Sequence, residues 1–217
     1  MWLEYLGHAC FYFEDSRGTR VIVDPYDRSV GYSVRPRRAD FTLITHNHAD
    51  HANLDAVLGA TRVMTRSGSS ENGRFAVQSV LAFHDAHEGH QRGVVNMMVF
   101  EMDGVRIAHL SDLGHPLTAE HVALLGDVDL ALVPVGGPPF TIDGATAREV
   151  VARLNPRAVI PMHYLTASTN RANYPIADVR PFLDGIPGAV YVRDGRLELT
   201  HSSLPNKRTI YVLTPTM

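Results

Sequence analysis

Cysteine is nearly absent from this sequence, whose 217 residues include only Cys10. A single cysteine cannot form an internal disulfide, and the apolar neighbours Ala9 and Phe11 favour a small buried side chain over a reactive thiol. A chain without disulfide bonds must be stabilised by its hydrophobic core. The 45% hydrophobic composition is ordinary for a globular protein that has such a core.

Long apolar runs and an excess of positive charge are also missing. No stretch is apolar for long enough to span a bilayer, and the first residues lack the basic region and cleavage site of a secretory signal. A net charge of −3 differs from the strongly basic footprint of a general nucleic-acid binder. We therefore expect a cytoplasmic protein that acts on a small molecule, with no membrane and no nucleic-acid partner. The sequence does not specify the oligomeric state.

The order of the predicted elements indicates a mixed α/β architecture. The chain has no repeat and no low-complexity linker, so one domain spanning 1–217 is the simplest interpretation. Hairpins are predicted early in the chain, and strands alternate with helices later. The predicted strands are 2–13, 19–23, 40–44, 61–65, 75–83, 96–102, 105–110, 128–135 and 158–162. The predicted helices are 53–58, 118–125, 143–154 and 176–183, and a final hairpin is predicted over 189–199.

Histidine is the residue type that the sequence has in unusual number, with 12 histidines against 20 lysines and arginines. The segment His46-x-His48-x-Asp50-His51 follows a predicted strand and precedes a predicted short helix. Residues two apart in an extended segment point to the same side, so His46 and His48 can converge on one metal ion. Asp50 and His51 then point elsewhere and can hold a second ion. Imidazole and carboxylate are the usual ligands of such ions.

Three further ligand-type residues stand where predicted apolar strands end. They are His84 after the strand 75–83, Asp112 after the strand 105–110, and His163 after the strand 158–162. Because open α/β sheets place their sites at such strand ends, we expect these side chains to complete the metal centre.

The loop after the strand 75–83 contains three histidines, and the choice among them is open. His84 is preferred because it closes the strand. His87 and His90 fit a solvated loop or the rim of the site.

With these residues in place, the sequence resembles the metallo-β-lactamase superfamily. More narrowly, it is similar to small metal-dependent hydrolases that include ascorbate-phosphate lactonase-like proteins. The segments that carry the resemblance are Gly7-His8-Ala9, Val23-Asp24-Pro25, the cluster 46–51, His84-Asp85, Arg92-Gly93 with Asn96, His109–Asp112, Val133–Gly137 and Ile160–Tyr164. The resemblance implies an αββα sandwich in which two mixed β-sheets are flanked by helices.

The resemblance also implies a role for each ligand. It makes His46, His48 and His84 ligands of one metal ion, makes Asp50, His51 and His163 ligands of a second, and lets Asp112 bridge both. In the family the bridging aspartate commonly follows a glycine, whereas Ser111 stands here. True β-lactamases often have cysteine at the position of Asp112, which argues against antibiotic hydrolysis.

Several other polar residues have two interpretations. His8 is either a core histidine or a substrate-binding residue, and Tyr164 either packs in the core or donates a hydrogen bond to substrate. Asp24 is expected to anchor a histidine or a turn rather than to bind metal. His109 is expected to support the ligands. The Gly136–Pro139 stretch is predicted to be a structural turn near the site.

The function that follows is hydrolysis by a water or hydroxide that two divalent ions activate. We expect zinc, with manganese or iron as alternatives, and an ester, lactone or phosphoester bond as the target. Asp50 is the expected catalytic residue, which orients the hydroxide and relays a proton to the leaving group. The alternatives are a nuclease or phosphodiesterase, an iron-dependent oxidoreductase on the same scaffold, and a non-catalytic binding module.

Overall fold

The computed structural model describes residues 1–33, 35–70 and 73–216. In chain order its strands are β1 (Trp2–Gly7), β2 (Cys10–Glu14), β3 (Arg20–Val23), β4 (Arg37–Arg38), β5 (Phe41–Leu43), β6 (Val57–Leu58), β7 (Arg62–Met64), β8 (Gly68–Ser69), β9 (Ala76–Phe83), β10 (Val94–Met102), β11 (Val105–His109), β12 (Leu130–Pro134), β13 (Ala158–Met162), β14 (Val190–Val192), β15 (Arg196–Glu198) and β16 (Thr209–Leu213). The α-helices are α1 (Ala119–Leu125), α2 (Gly144–Leu154) and α3 (Arg180–Leu183).

Two large sheets are built from these strands. The first has the order β15-β1-β2-β3-β5-β7, and the second has the order β14-β16-β13-β12-β11-β10-β9-β8. Each sheet is mixed: β1, β2 and β3 are antiparallel while β3, β5 and β7 are parallel. Likewise β9, β10 and β11 are antiparallel, whereas β11, β12, β13 and β16 are parallel. Parallel neighbouring strands end at the same edge of their sheet, so the residues that follow these strands lie close together.

Alternation of side chains along the strands fills the space between the sheets. From the first sheet, Leu3, Tyr5 and Phe11 are buried there; from the second sheet, Phe100 and Ile107 meet them. The mixed two-sheet architecture predicted from the sequence is confirmed.

The two outer faces are covered differently. Residues of α1, α2 and α3 pack on the second sheet, as Leu125, Val150 and Phe182 do. The outer face of the first sheet is instead covered by irregular chain that includes Tyr26 and Tyr32. In the part of the chain that the structure describes, α-helices therefore cover the outer face of the second sheet and not that of the first. No helix within 1–33, 35–70 and 73–216 has the length and apolar character of a membrane span.

Local capping signals located α1 and α2 well. Thr118 caps α1 by accepting a hydrogen bond from the backbone of His121, and Gly126 follows the helix. Asp143 caps α2 in the same way, and Asn155 ends it in a left-handed conformation. Such signals depend only on neighbouring residues, which is why the predicted bounds are close to those observed. Cys10 is buried, as expected.

Three elements differ from the prediction. The predicted strand 2–13 is two strands, because the backbone reverses at Gly7 and His8, both at positive φ. The predicted helix 176–183 is reduced to α3, since Ala177 forms backbone hydrogen bonds with Gly136 and Leu165 instead. The predicted helix 53–58 is one 3-10 turn followed by β6.

The predicted final hairpin is wrong. The turn at Asp194 and Gly195 exists, but β14 pairs with β16 in the second sheet while β15 pairs with β1 in the first. The segment therefore crosses between the sheets. Strand β16, which the sequence did not indicate, supplies the missing partner.

Candidate metal centre

One edge of the sandwich gathers the ligand-type residues from five separate parts of the chain. The cluster 46–51 follows β5, and three other side chains stand just beyond β9, β11 and β13. These three are His84, Asp112 and His163, and His8 joins them from the turn between β1 and β2. The His84, Asp112 and His163 side chains are almost fully buried.

Three imidazoles form one half of the cluster. Nε2 of His46 lies 3.0 Å from Nδ1 of His48, and Nε2 of His84 lies 3.2 Å from the same Nδ1. Ligand nitrogens of the three residues all lie within 4.8 Å of one another. His87 and His90, the alternatives within the same loop, are exposed and do not join this group.

Asp112 lies between the two halves of the cluster. Its Oδ2 is 3.5 Å from Nε2 of His84 on one side. On the other side it is 3.2 Å from Nε2 of His51 and 3.2 Å from Nε2 of His163. One carboxylate oxygen therefore faces nitrogens from both groups.

Asp50 and His8 complete the second half. Oδ2 of Asp50 lies 3.5 Å from Nε2 of His51 and 3.0 Å from Nε2 of His8. The rings of His8 and His163 are in contact, with centroids 3.9 Å apart. Ligand atoms of these four residues all lie within 4.8 Å of one another.

The residues fit a metal centre better than they fit a hydrogen-bond network. Nε2 of His51, Nε2 of His163 and Oδ1 of Asp112 are buried and have no hydrogen-bond partner among the described residues. Buried polar atoms without partners are costly. Four ligands about 2.0–2.1 Å from a tetrahedral ion lie about 3.3–3.4 Å apart. The observed separations of 3.0–3.5 Å surround that value.

A buried network behind the cluster orients two of the imidazoles. The carboxylate of Asp24 accepts hydrogen bonds from the backbone N–H and the hydroxyl of Thr45, at 2.8 and 2.7 Å. It also accepts from Nδ1 of His51 at 2.9 Å. The hydroxyl hydrogen of Thr45 is thereby used, so Nδ1 of His46 donates to Thr45 Oγ1 at 3.0 Å. Both histidines consequently present a lone pair on Nε2.

Backbone strain accompanies this arrangement. His8, Asp24, Ser111 and His163 all have φ between 48° and 56°, a region that side chains with a Cβ rarely adopt. Ser111 occupies the glycine-like position before Asp112, and its hydroxyl donates to Thr45 Oγ1 at 2.7 Å. The serine thus adds a contact that glycine cannot make.

His109 supports this region and is not free to bind metal. Its Nε2 donates to the carbonyl of Ala9 at 2.8 Å, and its Nδ1 accepts from the backbone N–H of Ser111 at 3.1 Å. Both ring nitrogens are therefore occupied.

Burial and neighbouring charges shift the proton affinities of the cluster. Burial, helped by His51, lowers the pKa of His46 to about 3, and burial with His163 lowers that of His8 to about 4. Burial opposes a charge on His51, but the carboxylates of Asp112 and Asp24 raise its pKa above the usual value. His163 and His51 hold the pKa of Asp112 well below its usual range despite burial.

A cleft of about 260 Å³ opens onto the cluster. It is lined by His48, Asp50, His84, Arg92, Asp112, Phe140, Asn173 and Tyr174. Arg92, Phe140, Asn173 and Tyr174 were not predicted as site residues. Arg92 belongs to a segment that carried the family resemblance. That resemblance was the one signal in the sequence that could have indicated Arg92 as a site residue. The other three lie in turns whose position depends on tertiary packing.

Tyr164 does not line this cleft, contrary to one interpretation of the sequence. Its side chain is buried in the core, and its hydroxyl donates to the carbonyl of Leu213 at 3.3 Å. This burial and this hydrogen bond support the packing interpretation. His8 does reach the cluster, where its Nε2 lies 3.0 Å from Oδ2 of Asp50.

Comparison with known proteins gives one family. The family model described as a β-lactamase superfamily domain matches residues 2–163. A metal-dependent hydrolase of Thermococcus onnurineus is 32% identical, and the match covers 76% of this chain and 84% of that protein.

Solved structures agree with this match. A protein of Thermotoga maritima, described as a candidate Zn-dependent hydrolase of the metallo-β-lactamase superfamily, is 34% identical with a TM-score of 0.79. The match covers 98% of this chain and 97% of that one. A metallo hydrolase of Ignicoccus hospitalis shares the fold, with 20% identity, a TM-score of 0.67, and coverage of 100% and 96%.

Proposed function

This chain belongs to the β-lactamase superfamily of metal-dependent hydrolases, and from that premise we propose that it cleaves an ester, lactone or phosphoester bond with two divalent metal ions. The convergence of imidazole and carboxylate atoms from five parts of the chain, several of them buried without a partner, carries the proposal. We further propose that residues 1–217 act as one domain, since both sheets contribute to the cluster.

The distances support the ligand assignment that the family resemblance implies. We assign His46, His48 and His84 to one ion because their nitrogens converge. We assign Asp50, His51 and His163 to the second ion, and Asp112 to both because its Oδ2 faces both groups. Imidazole with carboxylate suits zinc, and manganese or iron are the alternatives.

Bound ions of this kind supply a hydroxide at neutral pH and polarise the oxygen of a carbonyl or phosphoryl group. The chain must then hold and move the protons. Asp50 lines the cleft, and the neighbouring His51 and His8 keep its pKa below the usual range despite burial. Asp50 is therefore ionised, and it would orient the attacking water or hydroxide and relay its proton to the leaving group.

His8 positions Asp50. Its Nε2 donates to Oδ2 of Asp50 at 3.0 Å, and burial keeps the ring neutral because its pKa is lowered to about 4. The neutral His8 ring can therefore hold the Asp50 carboxylate in place by a hydrogen bond without cancelling its negative charge. We therefore propose a positioning role for His8 in place of direct substrate binding.

Tyr174 takes the role that the sequence suggested for Tyr164. It lines the cleft, and its ring lies 5.1 Å from that of His8, centroid to centroid. Burial and the charge of Asp50 raise the pKa of Tyr174 to about 12. Its hydroxyl thus stays protonated and can donate a hydrogen bond to a substrate oxygen.

The proposal is tested by metal analysis and a substrate panel. We expect about two metal ions per chain after metal-replete purification, and turnover of at least one lactone, ester, thioester or phosphodiester. His48→Ala should abolish turnover, a larger loss than the about 10–100-fold that removing an outer partner of a ligand costs.

His87→Ala is the matched control, because His87 is an exposed histidine in the loop that follows β9 and lies outside the cluster. It should keep wild-type metal content and activity. A His48→Ala enzyme with full activity would remove that residue from the mechanism. Oxygen uptake by the iron-loaded protein, or RNA cleavage without ester cleavage, would replace the proposed reaction by another.

A further inference from the structure

We propose that a second pocket, between α2, α3 and the start of β16, binds a small organic anion through Arg148 and Arg208. The ligand class is a carboxylate with a compact apolar body. This site lies apart from the candidate metal centre, and the inference does not depend on the proposed hydrolase function.

The pocket lies at the edge of the second sheet that is opposite to the candidate ligands. Strand β16 runs parallel to β13, and Thr209, which lines the pocket, is level with Ala158 at the beginning of β13. His163 follows the other end of β13. At about 3.3 Å per residue, the five residues of β13 span about 16 Å. A small group bound beside Thr209 is therefore too far away to contact the candidate ligands.

The floor of the pocket is apolar. Val151 of α2, Phe182 of α3 and Ile210 of β16 line it, and each is at most 5% exposed. The pocket has a volume of about 250 Å³, which is that of about eight water molecules at about 30 Å³ each. An apolar body of similar size that replaces this water would gain free energy from the burial of apolar surface.

Two arginines supply positive charge to the pocket, and the chain holds both in place. Nη1 of Arg148 donates to the backbone carbonyls of Pro181 and Phe182 in α3. Nε of Arg208 donates to the carbonyl of Pro156 at 3.3 Å. These acceptors are neutral, so both guanidinium groups keep their charge. Because the side chains are already held, little rotational freedom is lost when a ligand binds.

Acidic residues of the described chain do not neutralise these two cations. Within 1–33, 35–70 and 73–216, no carboxylate oxygen lies within 4 Å of either guanidinium, although Arg20 and Arg180 have such partners. Asp143 at the start of α2 accepts the backbone N–H of Thr146 instead. The pocket therefore has a positive charge that an anionic ligand would complement.

The remaining N–H groups determine the ligand chemistry. Nε and Nη2 of Arg148 and Nη1 of Arg208 have no hydrogen-bond partner among the described residues. A carboxylate accepts such donors in charge-assisted hydrogen bonds, and its planar geometry suits a guanidinium. A bare anion would leave the apolar floor in contact with water, whereas a neutral apolar molecule would leave these donors without a partner. An anion with an apolar body satisfies both parts of the pocket.

The test is an NMR titration of the metal-replete protein, labelled with ¹³C at the isoleucine methyl groups. Hexanoate has a carboxylate and an apolar body, acetate has the carboxylate with almost no body, and hexan-1-ol has the body without the charge. We expect hexanoate to bind about tenfold more tightly than either of the others, or better. Its binding should shift the methyl signals of Ile186 and Ile210, which line the pocket. The signal of Ile44, which lies near the candidate ligand His46, should not change.

Arg148→Met and Arg208→Met each remove one charge and keep an apolar chain. Each should weaken hexanoate binding by about fivefold or more and leave the affinity for hexan-1-ol unaltered. Arg153→Met is the matched control. Arg153 lies on the same helix and also donates to a backbone carbonyl, that of Leu117, but it does not line the pocket. It should bind hexanoate as the wild type does.

Equal affinity for hexanoate and hexan-1-ol would overturn the proposal, because the pocket would then bind apolar molecules without regard to charge. So would a failure of hexanoate to shift Ile186 and Ile210, or a shift of Ile44 alone. Arg208 is exposed, so undiminished hexanoate binding in Arg208→Met would decide against the proposal even if Arg148→Met failed to fold. The readout is binding, so it is independent of whether the protein hydrolyses any ester.

Discussion

Asp24 illustrates how a residue outside the candidate ligand set can orient the candidate ligands. It is fully buried, yet its carboxylate is satisfied by Thr45 and His51. Through these contacts it sets the orientation of His51 directly and that of His46 through the Thr45 hydroxyl. Groups that hydrogen-bond to metal ligands are usually nearly as important for metal binding as the ligands themselves.

We predict that Asp24→Asn weakens metal binding by about 10–100-fold. The amide offers a donor where Thr45 and His51 already donate, so at least one of these hydrogen bonds is lost. The free energy of unfolding should fall by about 2–3 kcal/mol for the same reason. Competition with a chelator of known affinity measures the first effect, and denaturant titration measures the second.

Asp40→Asn is the control for this substitution. Asp40 is an aspartate with a partner, Arg20, but its side chain is 39% exposed and the pair lies far from the cluster in the first sheet. It should change stability by less than about 1 kcal/mol and leave metal affinity unaltered. Equal metal affinity in both variants and the wild type would show that Asp24 does not orient the ligands.

At the scale of elements, close approaches of backbone determine where the strand ends lie. Gly136 follows β12, and a Cβ placed on it would come within 2.1 Å of the carbonyl oxygen of His163. Gly114 has the same relation to the backbone of His84 and Asp85. These two glycines allow neighbouring segments to bring a candidate ligand into the cluster.

We predict that Gly136→Ala displaces the end of β13 and with it His163. Because the neighbouring atom belongs to the backbone, the clash cannot be relieved by a side-chain rotation. We expect a loss of about 1–3 kcal/mol in the free energy of unfolding and a metal content that falls toward one ion per chain. Elemental analysis and denaturant unfolding measure these two effects.

Gly18→Ala serves as the comparison, since a Cβ there has open space around it and meets only the strain of a φ near 76°. That variant should lose about 1–2 kcal/mol of stability while it keeps both metal ions. If Gly136→Ala kept full metal content as well, the close approach would have no bearing on the site.

At the scale of the whole molecule, the candidate ligands come from both sheets. The cluster 46–51 follows the first sheet, whereas His84, Asp112 and His163 follow strands of the second. A metal pair held by these residues would connect the sheets at one edge. Ions that bind the native state and not the unfolded chain would add to stability by mass action.

We predict that removal of metal lowers the melting temperature by about 10 °C. A free ligand concentration about 1,000 times its dissociation constant stabilises by about 4 kcal/mol, and each kcal/mol moves the melting temperature of a chain of this size by about 2–4 °C. Calorimetric scans with and without a chelator measure the difference. His48→Ala should show a smaller difference, and an unchanged melting temperature in the wild type would contradict the prediction.

The sequence by itself determined much of the element content and the identity of the ligand candidates. The caps of α1 and α2 and the strand β13 were located because their signals are local. The histidine cluster was recognisable because its spacing and its residue types carry the chemistry without reference to the rest of the fold. The family resemblance implied the two-sheet architecture, which the structure confirms.

Only the tertiary structure decided which residues form the walls of the cleft and which strands are partners. Arg92 and Phe140 are brought together from segments far apart in the chain, and Tyr174 rather than Tyr164 reaches the site. The turn at Gly195 looked like a hairpin but joins two sheets. Contacts of this kind depend on packing across the whole molecule, and no local pattern of residues encodes the distance between two separate segments.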